Sequence, residues 1–140
     1  MKSNTKQGRD EFVLVLSPNH RAARWARKAV ERRFAKSLAA PVLADLVTVV
    51  SELVNNSVQH GPGRPITITL VPTGGSIRGE VADQGNPSVS IPQIREAHES
   101  GLPVGLEDGG LGLALVDKLT SEWAVYEGST HVWFELPLEE

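Results

Sequence analysis

Glu52-Leu53-Val54-Asn55-Asn56-Ser57-Val58-Gln59-His60-Gly61 is the stretch on which the reading of this chain turns. It closes a longer run that opens at Pro41, with apolar residues at three- and four-residue steps: Val42, Leu43, Leu46, Val47, Val49, Val50, Leu53, Val54 and Val58. That period predicts a helix with one broad buried face. The opposite stripe reads Asp45, Thr48, Glu52, Asn55, Asn56 and Gln59. Gly61 is placed for a left-handed cap and Pro62 lies beyond it, so the helix should stop there. Glu52 and Asn56 stand one turn apart on one face. A carboxylate there can accept a proton or orient a water, and an amide oxygen suits a hard cation such as Mg²⁺. A solvated face explains the same pair with no chemistry at all.

Upstream, Glu11 to Leu16 is β-rich and reads as a strand. Ser17 and Pro18 then look like an N-cap and a first helical residue. The helix they open is expected to reach Ser37, with Ala22, Trp25, Ala26, Ala29, Val30 and Phe34 as its apolar stripe. Downstream, Ile66, Ile68 and Leu70 alternate with Thr67 and Thr69, which predicts a strand buried on one face. Thr73-Gly74-Gly75-Ser76 is a hairpin turn into a second strand, Ile77 to Ala82. A polar loop from Asp83 is expected to hold a short helix near 93–99. Five glycines between Gly101 and Gly112 mark a mobile loop. A helix over 113–121 and a closing hairpin, Trp123 to Tyr126 with Val132 to Leu136, complete the chain. Helices mixed with hairpins imply an α+β two-layer α/β sandwich, its mixed, mainly antiparallel sheet carrying helices on one face.

Composition narrows the function classes. The chain has 140 residues, 40% of them hydrophobic and 22% charged, which suits one folded domain. Without cysteine, disulfides, thiolate metal sites and a cysteine nucleophile are excluded. His20, His60, His98 and His131 are scattered, and no Walker loop or nucleophile elbow occurs. No apolar run approaches the roughly 20 residues of a membrane span, and Met1 to Lys6 lacks a signal-peptide core, so a cytoplasmic location is expected.

The net charge of −3 is unevenly spread. Seven of the fourteen basic residues lie between Arg21 and Lys36 against the single Glu31, so that stretch carries +6 and the remainder −9. Such a split points to an acidic partner. The acidic remainder opposes nucleic acid, which leaves a protein partner as the expectation.

Two further segments accompany the helix. Asp83-Gln84-Gly85 sets a carboxylate where a strand gives way to a loop, with a glycine two residues on. Such an acceptor can take a hydrogen bond from an exocyclic amino group, and the glycine lets backbone approach a ligand. Gly109-Gly110-Leu111-Gly112-Leu113 leads into a helix, and glycine amides at a helix start form a phosphate cradle. Each segment alone is equally an ordinary turn or a flexible loop.

Their order and spacing resemble the GHKL (Bergerat-fold) ATPases, the superfamily of gyrase, histidine kinases and mismatch-repair ATPases. Glu52 to Asn56 matches the N box, Asp83-x-Gly85 the first glycine box, and Gly110-Leu111-Gly112-Leu113 the second. The polar start of the chain predicts a flexible N-terminus over 1–10, and the resemblance implies a single ATPase domain over 11–138. The short format is similar to bacterial anti-sigma-factor serine kinases, with its closest echoes in Glu52 to Gly61, in Leu113-Ala114-Leu115-Val116-Asp117-Lys118-Leu119 and in Val132-Trp133-Phe134-Glu135-Leu136. That similarity implies ATP and Mg²⁺ as cofactors, and a serine/threonine kinase acting on a STAS-domain anti-anti-sigma protein. It also implies sequestration of a sigma factor and a homodimer, while the charge balance and the lack of a long apolar run predict no direct contact with nucleic acid or membrane.

By the same resemblance Asn56 holds Mg²⁺, Glu52 is the general base, Asp83 takes the adenine amino group and Gly85 lines the adenine pocket. Gly110, Leu111, Gly112 and Leu113 form the phosphate-side box. The sequence departs from the pattern at Pro87, at Asn55, at Gly128-Ser129-Thr130-His131, and at Glu107 and Asp108 beside the second box. The departures at Pro87, Glu107 and Asp108 motivate an alternative, a non-catalytic partner-binding regulator whose nucleotide site is degenerate or purely structural.

Overall fold

A computed structural model describes residues 10–83, 111–125 and 131–138. Strand β1 (Phe12–Leu16) leads to helix α1 (Ala22–Phe34) and the long helix α2 (Ala40–His60). The hairpin β2 (Ile66–Pro72) and β3 (Ser76–Ala82) follows, then α3 (Leu111–Leu119), β4 (Glu122–Val125) and β5 (Val132–Pro137). The strands form one sheet in the order β1-β2-β3-β5-β4. All four pairings are antiparallel, so the sheet is not mixed among the described residues. The α+β two-layer architecture is the expected one.

The three helices cover one face of the sheet. α2 lies in the middle, against α1 on one flank, α3 on the other, and β2, β3 and β5 beneath. Its buried side is Val42, Leu46, Val47, Val49, Val50, Leu53 and Val54, facing Ile66, Ile68, Leu70, Ile77 and Val81 of the sheet. Fully burying each of these aliphatic side chains is worth about 1.5–3 kcal/mol, so this central contact dominates the core. At one crossing a side chain is forbidden. Gly79 pairs with Phe134, and a Cβ on Gly79 would come within 2.2 Å of the Phe134 ring.

Element boundaries differ from the sequence reading at two capping sites. α1 starts at Ala22, not at Pro18, because Asn19 captures the chain first. Its Oδ1 accepts the Arg21 N–H at 2.9 Å and its carbonyl accepts the Ala22 N–H at 3.0 Å. Local side-chain bonds of this kind offer the backbone an alternative to helix. α1 ends at Phe34, whose carbonyl accepts the N–H groups of both Ser37 and Leu38 at 3.1 Å. α2 begins at Ala40, with Pro41 in its first turn.

Gly61 stops α2 as expected but is extended, with φ −79° and ψ 178°, not left-handed. The following Pro62 forces this, since a residue before proline is pushed toward extended backbone. The positive φ falls instead at Gly63, at 81°.

Candidate functional site

Connections bring those sequence-predicted residues that are described, Glu52, Asn56, Asp83, Leu111, Gly112 and Leu113, to one end of the sandwich. Five residues join α2 to β2, so the C-terminal half of α2, with Glu52 and Asn56, lies by the start of β2. β3 ends at that same edge, where Thr67 pairs with Ala82, and β5 begins there, where Val81 pairs with Val132. α3 ends two residues before β4, whose first residue pairs with Glu135 near the far end of β5. The start of α3, at Leu111 and Gly112, is thereby directed to the near end beside α2. The helix opens two residues earlier than the sequence suggested, so Leu111 and Gly112 form its first turn.

Asp83 is the most informative side chain at this end. It continues the alternation that buries Ile77, Gly79 and Val81, so it turns toward the helix layer as β3 runs out. It is only 1% exposed, and neither carboxyl oxygen has a hydrogen-bond partner among the described residues. Burying a polar group unsatisfied costs about 1–3 kcal/mol, and the great majority of buried side-chain polar atoms in native proteins have a partner. A carboxyl offering acceptors into such a place fits a ligand that brings N–H donors.

Glu52 and Asn56 are both half-buried, in line with Asp45 and Thr48 along the boundary between core and solvent. Asn55 is exposed, about 100° further round the helix, and so is Gln59. Only Asn56 of the two adjacent amides shares the half-buried line with Glu52. Leu113 of the second box is buried in the core. Gly85, Gly110 and the departures at Pro87, Glu107, Asp108 and 128–130 lie outside the described residues, as do the helix expected near 93–99, most of the glycine-rich loop and the N-terminal nine residues.

Sequence reasoning passed over Ser51 and Ser57, which are buried on α2. Ser51 Oγ donates to the Thr48 carbonyl at 3.2 Å, a bond within the helix. Sequence reasoning also passed over a polar cluster on the helix-free face of the sheet. There the Arg78 guanidinium lies 4.8 Å over the Trp133 ring, and Glu80 hydrogen-bonds His131. That bond, with Arg78 nearby, holds the Glu80 carboxyl below the usual carboxylate range against the opposing effect of burial. Among the described residues no three His, Asp or Glu side chains cluster as a metal site, and no helix is long and apolar enough to cross a membrane.

Comparison with known proteins agrees with this fold. Residues 16–136 match the family model of the histidine kinase-like ATPase domain, and the chain belongs to that family. No curated protein matches the chain. Among solved structures it is similar to the crystal structure of the RsbU and RsbW domains of Rv1364c from Mycobacterium tuberculosis, with a TM-score of 0.61 and 20% identity. The match covers 90% of this chain and 30% of that one, so the chain spans under a third of the protein it resembles. At that identity the likeness is one of fold.

Proposed function

We propose that the end of the sandwich defined by Asp83, Glu52, Asn56 and the start of α3 binds ATP with Mg²⁺, and that the chain is an anti-sigma-type regulator with serine/threonine kinase activity. The observation that carries this reading is Asp83, a fully buried carboxyl with no partner among the described residues, at the place where a histidine kinase-like ATPase resemblance puts the adenine amino group. Membership of the family and the fold shared with a chain containing RsbU and RsbW domains support it.

In this reading each residue has a defined role. Asp83 accepts the hydrogen bond from the exocyclic amino group, which relieves its unsatisfied burial, and Gly85 lets the base approach. Asn56 offers its amide oxygen to Mg²⁺, a cation that takes most of its ligands from phosphates and water. Gly110, Leu111, Gly112 and Leu113 present backbone amides and a helix start to the phosphates. Glu52 accepts the proton of the attacking hydroxyl of a STAS-domain partner. Bound Mg-ATP supplies the transferable phosphoryl group, and such a transfer depends mainly on positioning and charge neutralisation. A homodimer that also sequesters a sigma factor completes the proposal.

Titration calorimetry with Mg-ATP tests it. Wild type should bind, Asp83→Ala should weaken binding at least about tenfold, the equivalent of ~1.4 kcal/mol for one buried hydrogen bond, and Asn56→Ala should remove the Mg²⁺ dependence. Absence of heat and of thermal stabilisation for wild type at millimolar nucleotide would favour the non-catalytic regulator. Glu52→Ala separates the remaining step: it should bind nucleotide but transfer no phosphate.

A further inference from the structure

The sequence assigned Trp25 to the core of α1, and the structure turns it out. Ala22, Ala23, Ala26, Val30 and Phe34 form the buried face, and Trp25 sits roughly 130° from the centre of that face at 100° per residue. Its side chain is 56% exposed. On the same outer side stand Arg21, Arg24, Lys28 and Arg32, all exposed. Arg21 and Lys28 are one turn from Trp25 in either direction, and Arg32 is two turns on.

The other cations of the helix are placed differently. Arg27 is half-buried, and Arg33 stacks 5.0 Å over the Phe34 ring. Among the described residues no ring or acidic group engages Trp25, Arg21, Arg24, Lys28 or Arg32. An exposed tryptophan ringed by four cations, over a stretch of about 16 Å, combines the residue types that anchor protein interfaces.

We propose that this outer face of α1 is a docking surface for an acidic amphipathic segment of a partner protein, with Trp25 as the apolar anchor. Charge selects the occupant. The stretch from Arg21 to Lys36 carries +6 while the rest of the chain carries −9. A short acidic segment meets only the cations, whereas an extended polyanion such as nucleic acid would also meet the acidic body. A lipid surface fits poorly, since the apolar face of α1 is spent on α2 and Trp25 is the one large apolar side chain that this helix exposes. The proposal is independent of the nucleotide site, which lies at the end of α2.

Photocrosslinking in cells tests it. A benzophenone amino acid at Lys28 should give a protein adduct whose crosslinked peptide is net acidic, above the level from the same group at Thr73 on the β2–β3 turn. Trp25→Ala should reduce the yield at least about tenfold, as loss of an interface anchor does, and so should Arg21→Glu with Arg24→Glu. The thermal midpoint of each purified variant should stay at the wild-type value, which separates lost docking from lost folding. The acidic segment, made as a peptide, should bind purified wild type progressively more weakly as salt is raised. Adducts to nucleic acid, to lipid, to a second copy of this chain or to a neutral or basic segment would overturn the proposal. So would a yield no higher than at Thr73.

Discussion

Helices α1 and α2 lie side by side on the same sheet and solve opposite problems. α2 is enclosed by α1, α3 and three strands, so its polar residues sit at the core boundary, where Glu52 and Asn56 are half-buried. α1 lies on one flank of the layer and buries a narrow face of three alanines, Val30 and Phe34. Its remaining surface is open, and a tryptophan and four cations occupy it. Position in the layer decides what a polar stripe is used for: one beside neighbouring elements can build a pocket, and one on the outside can only meet a partner.

The contrast can be broken most directly by stability. Leu53→Ala on α2 removes a fully buried side chain and should cost about 2–5 kcal/mol in urea unfolding. Trp25→Ala should stay within about 0.5 kcal/mol, as surface substitutions do. Comparable losses for the two would mean that α1 is packed as tightly as α2. Beneath α2, Gly79→Ala drives a Cβ into the Phe134 ring and should cost about 1–3 kcal/mol through overpacking. Combining Gly79→Ala with Phe134→Leu should recover part of that loss, which identifies the ring as the cause.

Smaller effects sharpen the picture. Asp83→Asn, measured without nucleotide, should be neutral or mildly stabilising, because an unpartnered buried carboxyl is costly to keep. A clear destabilisation would show that Asp83 is a structural residue. The smallest effect is on the helix-free face. The folded-state value of Glu80 lies below its ordinary 4.5, so its contribution is complete above that value and lost as pH falls through the lower one. His131→Ala should flatten the acid limb of the stability curve, by little, since Glu80 is 44% exposed.

Much of this fold was legible because its signals are local. The period of α2, the alternation of β2 and the glycine turn at Gly74, with φ 87°, are fixed by a residue and its near neighbours. The ends of α1 were not, because Ser17-Pro18 and Asn19 compete for the same backbone, and only geometry shows Asn19 prevailing. The left-handed Gly61 failed for a reason already present in the sequence: Pro62 outweighs the glycine's freedom. Trp25 failed because the first half of α1 offers only alanines to show which side is inward, and a tryptophan three residues from Ala22 reads as part of the stripe.

The site divides in the same way. Residue types and spacing, namely Glu52 with Asn56, Asp83 with Gly85, and the glycines before α3, are properties of the sequence alone. That Asp83 is buried with no partner among the described residues, that Asn55 is exposed while Asn56 is half-buried, and that α2, β3 and α3 meet at one end are decisions of the tertiary structure. Burial and convergence depend on contacts between residues far apart in the chain. No local pattern encodes which of two adjacent amides will be covered by a neighbouring element.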